Sequence, residues 1–284
     1  MIHIIEHSIK DTIVIIPFLF IAFLLMEYIE HKFNKKTKNI IEKSGKLGPL
    51  FGSLLGMFPQ CGFSVLATNF YAANILSIGT LVAIYLSTSD EMLPIMISKG
   101  LSAEDIITIL VLKVCIAIIV GFIVDAIYQK TKISKTDIKQ ICKEEQCDCH
   151  HEGIIKSSIK HTCNITLFIF MTTLVLTFLI ETIGEDNLSK LLLKDSFFGP
   201  FVASLFGLIP NCASSVIITE LFLSNAISFG SMIAGLLTGS GIAILLLFKI
   251  NKDKKENLTI LSIIYFVGVF SGIVIDLLGI WLIY

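Results

Sequence analysis

Two tetrapeptides, Pro59-Gln60-Cys61-Gly62 and Pro210-Asn211-Cys212-Ala213, carry the sharpest chemical signal in the chain. Each lies midway along an apolar stretch, Gly48–Tyr71 and Gly199–Leu223. Proline removes a backbone donor and disfavours helix in the residue before it. Each stretch is therefore expected to break into two arms of about 11 residues, ~16 Å long as helix and half a membrane deep. Non-helical backbone at that depth is tolerated only where it is buried in protein or lines a watery cavity. The freed backbone groups and half-helix ends then offer ligand sites. Cys61 and Cys212 add thiols suited to a soft ion; the alternative is a small side chain that lets helices approach. Pro59, Gln60, Cys61 and Ser64, with Pro210, Asn211, Cys212 and Ser215, are candidate substrate contacts.

Acids inside apolar segments are the second signal, because intramembrane charge is costly and is by default functional. Asp90 and Glu91 follow Ser87-Thr88-Ser89, and Glu220 stands opposite Asn69 when the two broken segments are aligned. Carboxylates with amide and hydroxyl oxygens suit a hard divalent cation. Ser87, Ser89, Asp90, Glu91, Asn69 and Glu220 thus join the candidate substrate set, with exposure at a membrane surface as the alternative for the acids. Asp125 and Asp276 lie near segment ends, where capping or interfacial anchoring is the expected role. A third cluster, Cys142, Cys147, Cys149, His150 and His151, fits no paired Cys-x2-Cys zinc knuckle. Its five soft or borderline ligands suit Zn or Cu(I); a solvated tether with incidental Cys and His is the alternative. No resident cofactor is expected elsewhere.

The elements that must position these residues are membrane spans. Of 284 residues 54% are hydrophobic and 16% charged, against roughly 25% charged in a soluble domain, and the mean hydropathy is +0.84. A net charge of −1 leaves no basic excess for a nucleic-acid partner. Thr12–Ile29, Leu76–Ile97, Ile106–Tyr128, Ile165–Ile180, Ile227–Phe248 and Leu258–Leu282 are apolar on all faces and close to the ~20 residues that cross a bilayer. There is no nucleotide-binding glycine loop and no serine–histidine–acid or paired-carboxylate site. An enzyme is not expected, and any pumping must draw on an ion gradient.

The chain also repeats itself at an offset of 151 residues. Gly48, Pro49, Ser53, Gly56, Pro59, Cys61, Ser64 and Thr68 match Gly199, Pro200, Ser204, Gly207, Pro210, Cys212, Ser215 and Thr219, and without a gap Asp125 meets Asp276. Lysines gather in 32–46, 130–160 and 249–255, which marks those loops as cytoplasmic. Loops 98–105 and 182–198 hold more acids than lysines, Lys99 against Glu104 and Asp105, and two lysines against Glu185, Asp186 and Asp195, and are expected outside. The topology closes only if each broken segment enters and returns on the same side. The expected fold is an all-α polytopic membrane protein of two inverted repeats, 1–133 and 152–284. Each has three transmembrane helices and one re-entrant helical hairpin broken at Pro-x-Cys. A cytoplasmic Cys/His linker, 134–151, joins them. The expected setting is the plasma (inner) membrane, multi-pass, with both termini outside. No motif sets an oligomeric state.

The PQCGFS, STSDE and PNCASSV blocks, with the Cys/His linker between halves, resemble the ten-helix heavy-metal exporter family, whose members are called manganese transporters or arsenic efflux proteins. The likeness covers nearly the whole chain. Three spans plus two hairpin arms per half also give ten helices. The resemblance implies export of a metal or metalloid. Through distant organoarsenical permeases it implies arsenic binding at a membrane cysteine, carried over only to Cys61 and Cys212. Three functions follow: a proton-coupled secondary exporter of a divalent cation such as Mn2+, an exporter of trivalent arsenicals, or a membrane metal sensor without transport. The topology makes a direct prediction. A single cysteine placed between Ser98 and Glu104 is labelled by an impermeant reagent from outside the cell, and labelling only from the cytoplasm would refute the orientation.

Overall fold

The computed structural model describes residues 47–57, 61–72, 75–89, 92–128 and 198–279, with isolated positions between 16 and 24 and between 155 and 174. The linker 134–151 and most of the expected spans at 12–29 and 165–180 lie outside the described residues. Within them the chain is helical and without strands. The helices are α1 (Gly48–Gly56), α2 (Cys61–Ala72), α3 (Ile78–Ser87), α4 (Met92–Ser98) and α5 (Ala103–Tyr128). They are followed by α6 (Gly199–Gly207), α7 (Cys212–Leu223), α8 (Phe229–Thr238), α9 (Ala243–Ile250) and α10 (Lys254–Leu277). Every helix of the first group has its counterpart five labels later, close to 151 residues on.

The broken segments split where proline requires it. The arms α1 and α2 flank 57–60, and α6 and α7 flank 208–211. Both second arms end in the same turn: Ile75 N–H donates to Phe70 O and Ala226 N–H to Leu221 O, each at 2.8 Å. Asn225 supplies the left-handed residue of the second turn at φ 57°, a conformation asparagine tolerates well.

Two expected continuous spans are interrupted. The stretch 76–97 is divided into α3 and α4, and 227–248 into α8 and α9. In the first, side-chain hydroxyls compete for the backbone. Thr88 Oγ1 and Ser87 Oγ both donate to Ile84 O, at 2.7 and 3.1 Å, and Ser89 Oγ donates to Ser87 O at 3.0 Å. Thr88 then leaves the helical region at φ −52°, ψ 130°. In the second, Gly239 ends α8, and Gly241 adopts φ +57°, which only glycine takes without strain. Each leading piece has ten residues, ~15 Å of helix, so each break falls about halfway through a ~30 Å core.

Among the described residues, three stretches have the length and apolarity to cross a membrane: Ala103–Tyr128, Phe229–Ile250 with its interruption, and Lys254–Leu277. Apolar side chains cover the outside. Ile107, Val111, Ile119 and Ile123 on α5 and Leu258, Phe266 and Phe270 on α10 are all more than half exposed, as lipid-facing surfaces require. The interior instead holds hydroxyls and amides, with Ser53, Ser64, Thr68, Ser87, Ser204, Thr219, Thr238 and Ser240 all at 0% exposure.

Small residues bring the long helices against the broken ones. A Cβ on Gly79 would lie 2.2 Å from Gly121 O, and one on Gly230 the same distance from Gly272 O. Gly121 also abuts Pro49 and Ala83, as Gly272 abuts Pro200 and Ala234. At this closest point a carboxylate clamps each pair. Asp125 accepts from Ser77 Oγ at 2.8 Å and Gly79 N–H at 2.9 Å; Asp276 accepts from Ser228 Oγ and Gly230 N–H at the same distances. The two acids cap α3 and α8, as their sequence positions suggested. Replacing Asp125 by Ala strips two bonds and leaves a buried N–H unsatisfied, a loss of about 1–3 kcal/mol. Thermal unfolding of the purified protein should show that loss for Asp125→Ala and a similar one for Asp276→Ala; an unchanged Tm in both would contradict the clamp.

Candidate functional site

The two broken segments cross over. Helix α2 packs on α9, and α7 on α4, so each hairpin arm lies against the second piece of the opposite broken helix. The arms start at Cys61 and Cys212, which open α2 and α7 at equivalent positions. Along these arms the hydroxyls are satisfied without water. Thr68 Oγ1 donates to Ser64 O and Thr219 Oγ1 to Ser215 O, both at 2.7 Å, while the Asn69 amide donates to Val65 O at 3.0 Å.

Two side chains tie the breaks together. The Tyr85 hydroxyl, fully buried on α3, lies 2.6 Å from Thr68 Oγ1 and donates to Ala243 O at 3.2 Å. Ala243 is the first residue of α9, so this bond runs from the first half to the break of the second. Lys113 on α5 is 1% exposed. Its ammonium donates to Thr88 O, at the break of the first half, and to Leu236 O on α8 at 3.0 Å. In the second break Thr238 Oγ1 reaches back to Gly235 O at 3.0 Å and to Ser204 O on α6 at 2.9 Å. The Ser240 hydroxyl beside it is buried and makes no hydrogen bond, which leaves it an acceptor and donor for a ligand at the break.

The sequence candidates fall into three groups. Ser64, Asn69, Ser87, Ser89, Asn211 and Ser215 are buried near the arms and breaks, and Pro210 is half-buried. Glu220 is 47% exposed and stands 3.9 Å from Lys99, just beyond the end of α4. That places it at a surface, away from the breaks. Pro59, Gln60, Asp90, Glu91 and the linker set Cys142, Cys147, Cys149, His150 and His151 lie outside the described residues. Among the described residues no three His, Cys, Asp or Glu side chains cluster as metal ligands. The oxygens there come from hydroxyls, amides and backbone carbonyls. An open groove on the outward face of α10, lined by Leu258, Thr259, Ser262, Ile263, Phe266 and Val267, has no part in this centre.

Tyr85, Lys113, Thr238 and Ser240 are contributors that no local motif marks. A signal was available in the repeat. Tyr85 aligns with Leu236 and Lys113 with Ile264, so a polar residue stands in one half where an apolar one serves in the other.

Residues 1–164 and 150–280 match a family described as "Putative, 10TM heavy-metal exporter". No curated protein and no solved structure matches the chain. The Ser240 hydroxyl gives a test of the centre that separates structure from function. Ser240→Ala removes no hydrogen bond, so stability should hold within about 0.5 kcal/mol, while transport of the cognate ion falls. A large loss of Tm would show that the hydroxyl is structural.

Proposed function

The chain belongs to the 10TM heavy-metal exporter family, and we propose that it is a secondary-active exporter of a divalent cation such as Mn2+. The ion would pass between the two helix breaks and the two hairpin tips. The observation that carries this reading is the pair of breaks, α3–α4 and α8–α9, at equivalent positions and half-membrane depth in an oxygen-rich interior. Discontinuous helices facing one another near the midplane are how secondary transporters build ion sites. Hard oxygen donors favour a hard cation over a thiophilic one. Asp90 and Glu91, two and three residues beyond Thr88, are the carboxylates that would complete the coordination.

The proposed topology has support in contacts. Gly48 lies against Thr80 at the start of α3, and Gly56 against Ser87 at its end, so α1 runs alongside α3 to the level of the break. Tyr71, one residue before the end of α2, lies beside Glu256 in the first turn of α10. That turn therefore lies at the same level as the start of α3. The end of α9 thus meets the start of α3, and α3–α4 runs opposite to α8–α9. Glu220 and Lys99 make the matching contact at the other surface. These contacts support two re-entrant hairpins in antiparallel halves. The lysine-rich loops then place the linker in the cytoplasm and both termini outside.

A trivalent arsenical is the second reading, favoured by the equivalent placing of Cys61 and Cys212 at the starts of α2 and α7. Growth of sensitive cells on Mn2+ and on arsenite separates the two. Asp90→Asn with Glu91→Gln should abolish Mn2+ resistance, and Cys61→Ser with Cys212→Ser should leave it intact. If only the cysteine pair matters, and only for arsenite, the arsenical reading replaces the first.

A further inference from the structure

The two breaks stand at equivalent positions but differ in chemistry. Between α3 and α4 lie Thr88, Ser89, Asp90 and Glu91; between α8 and α9 lie Gly239, Ser240, Gly241 and Ile242. The first break carries two carboxylates in its sequence, the second carries no charge, and a serine at the same position is common to both. The two serines differ in their bonding. Ser89 Oγ donates to Ser87 O at 3.0 Å, whereas Ser240 Oγ, on a residue with 0% exposure, has no hydrogen-bond partner. Buried hydroxyls are nearly always paired, and an exception in a native fold calls for a reason.

The first half shows what fits such a place. There the Lys113 ammonium, carried on α5, donates to Thr88 O in its own break and to Leu236 O on the opposite leading piece. The 151-residue offset makes Gly239 O and Tyr85 O the counterparts of those carbonyls, and Ile264 the counterpart of Lys113. Helix α10, which carries Ile264, packs on α8 and α3 just as α5 packs on α3 and α8. Tyr85 also stands beside the second break, with its hydroxyl on Ala243 O. Ile264 is fully buried and has no charge to offer. In one half a tethered monovalent cation bridges the carbonyls; in the other the side chain at that position can bridge nothing.

We propose that the second break binds an alkali-metal cation such as Na+, held by the Ser240 hydroxyl and the carbonyls of Gly239 and Tyr85, and that this is the exporter's coupling ion. Neutral hydroxyl and carbonyl oxygens suit a monovalent cation, whereas a divalent one seeks carboxylates, which only the first break has. The C-terminal end of α8 turns its partial negative charge on the site. Lys113, bound one turn back at Leu236 O, repels a dication twice as strongly as a monocation. The metal at the acidic break and the alkali cation at the neutral one then occupy neighbouring sites in one centre. Na+ entering down its gradient exchanges there for metal leaving the cell. This deepens the exporter reading and rests on the breaks lying in its pathway.

The test is equilibrium binding of radiolabelled Na+ and Rb+ to the purified full-length protein, with no divalent metal present. Wild type should bind at least one of the two saturably. Ser240→Ala removes no hydrogen bond, so it should keep its Tm and weaken the binding about tenfold or more. Ile264→Lys, which copies the first half, should supply the cation itself and abolish the binding; if that variant does not fold, Ser240→Ala decides alone. No saturable binding by wild type, or undiminished binding by a folded Ser240→Ala protein, would overturn the proposal. In proteoliposomes an opposing Na+ gradient should speed Mn2+ movement, and N-methylglucamine in place of Na+ should remove that effect. Mn2+ movement indifferent to Na+ and K+ gradients would refute the coupling role. Absence of Mn2+ movement under every gradient, with Na+ binding intact and dependent on Ser240, would sink the divalent-exporter reading instead and leave the alkali-cation site standing.

Discussion

In hydrocarbon no water can satisfy a freed backbone group, and this constraint organises the whole interior. Interrupting a helix at half depth leaves carbonyls and N–H groups without partners on both sides of the break. The chain answers with side chains fixed in place by packing. Lys113 serves the carbonyls of Thr88 and Leu236; Tyr85 and Thr238 add bonds to Ala243 O, Ser204 O and Gly235 O, the last two of which also accept helical N–H groups. These groups come from both halves. Lys113 and Tyr85 therefore also join the two breaks, because each spans from one to the other.

Precision at the centre depends on rigid anchoring further out. Asp125 and Asp276 fix the starts of α3 and α8 against the long helices, at the one level where Gly79 meets Gly121 and Gly230 meets Gly272. From there each leading piece projects ten residues inward. The breaks therefore inherit their depth from the clamps. The second pieces, α4 and α9, are held mainly by α7 and α2 respectively.

Much of this was legible in the sequence. The 151-residue offset and the proline breaks follow from the sequence itself; the position of Asp125 and Asp276 near segment ends suggests capping, but the helices they cap lie 46 residues away. The interruption of the two central spans was less visible. The polar run Ser87-Thr88-Ser89 and the glycines 239 and 241 signal it, but hydropathy averaged over a membrane-length window hides them. Glu220 sits differently from the residue it aligns with. Its alignment with buried Asn69 suggested a pathway acid, yet Lys99, which has Ile250 as its counterpart, draws it to the surface. Partners brought together by tertiary packing, such as Tyr85 with Ala243 across 158 residues, have no local signature at all. Only the contrast between halves marks them.

On the proposed function, the break between α8 and α9 belongs to the transport site and is not an incidental kink. Gly239 has room for a Cβ, with nothing nearer than 3.4 Å, whereas Gly241 holds its φ of +57° only as glycine. Alanine at both positions favours a continuous helix and closes the break. Mn2+ flux into proteoliposomes is the measurement. The account predicts that Gly239→Ala with Gly241→Ala yields a folded protein with flux reduced at least tenfold. Wild-type flux from that folded protein would contradict it.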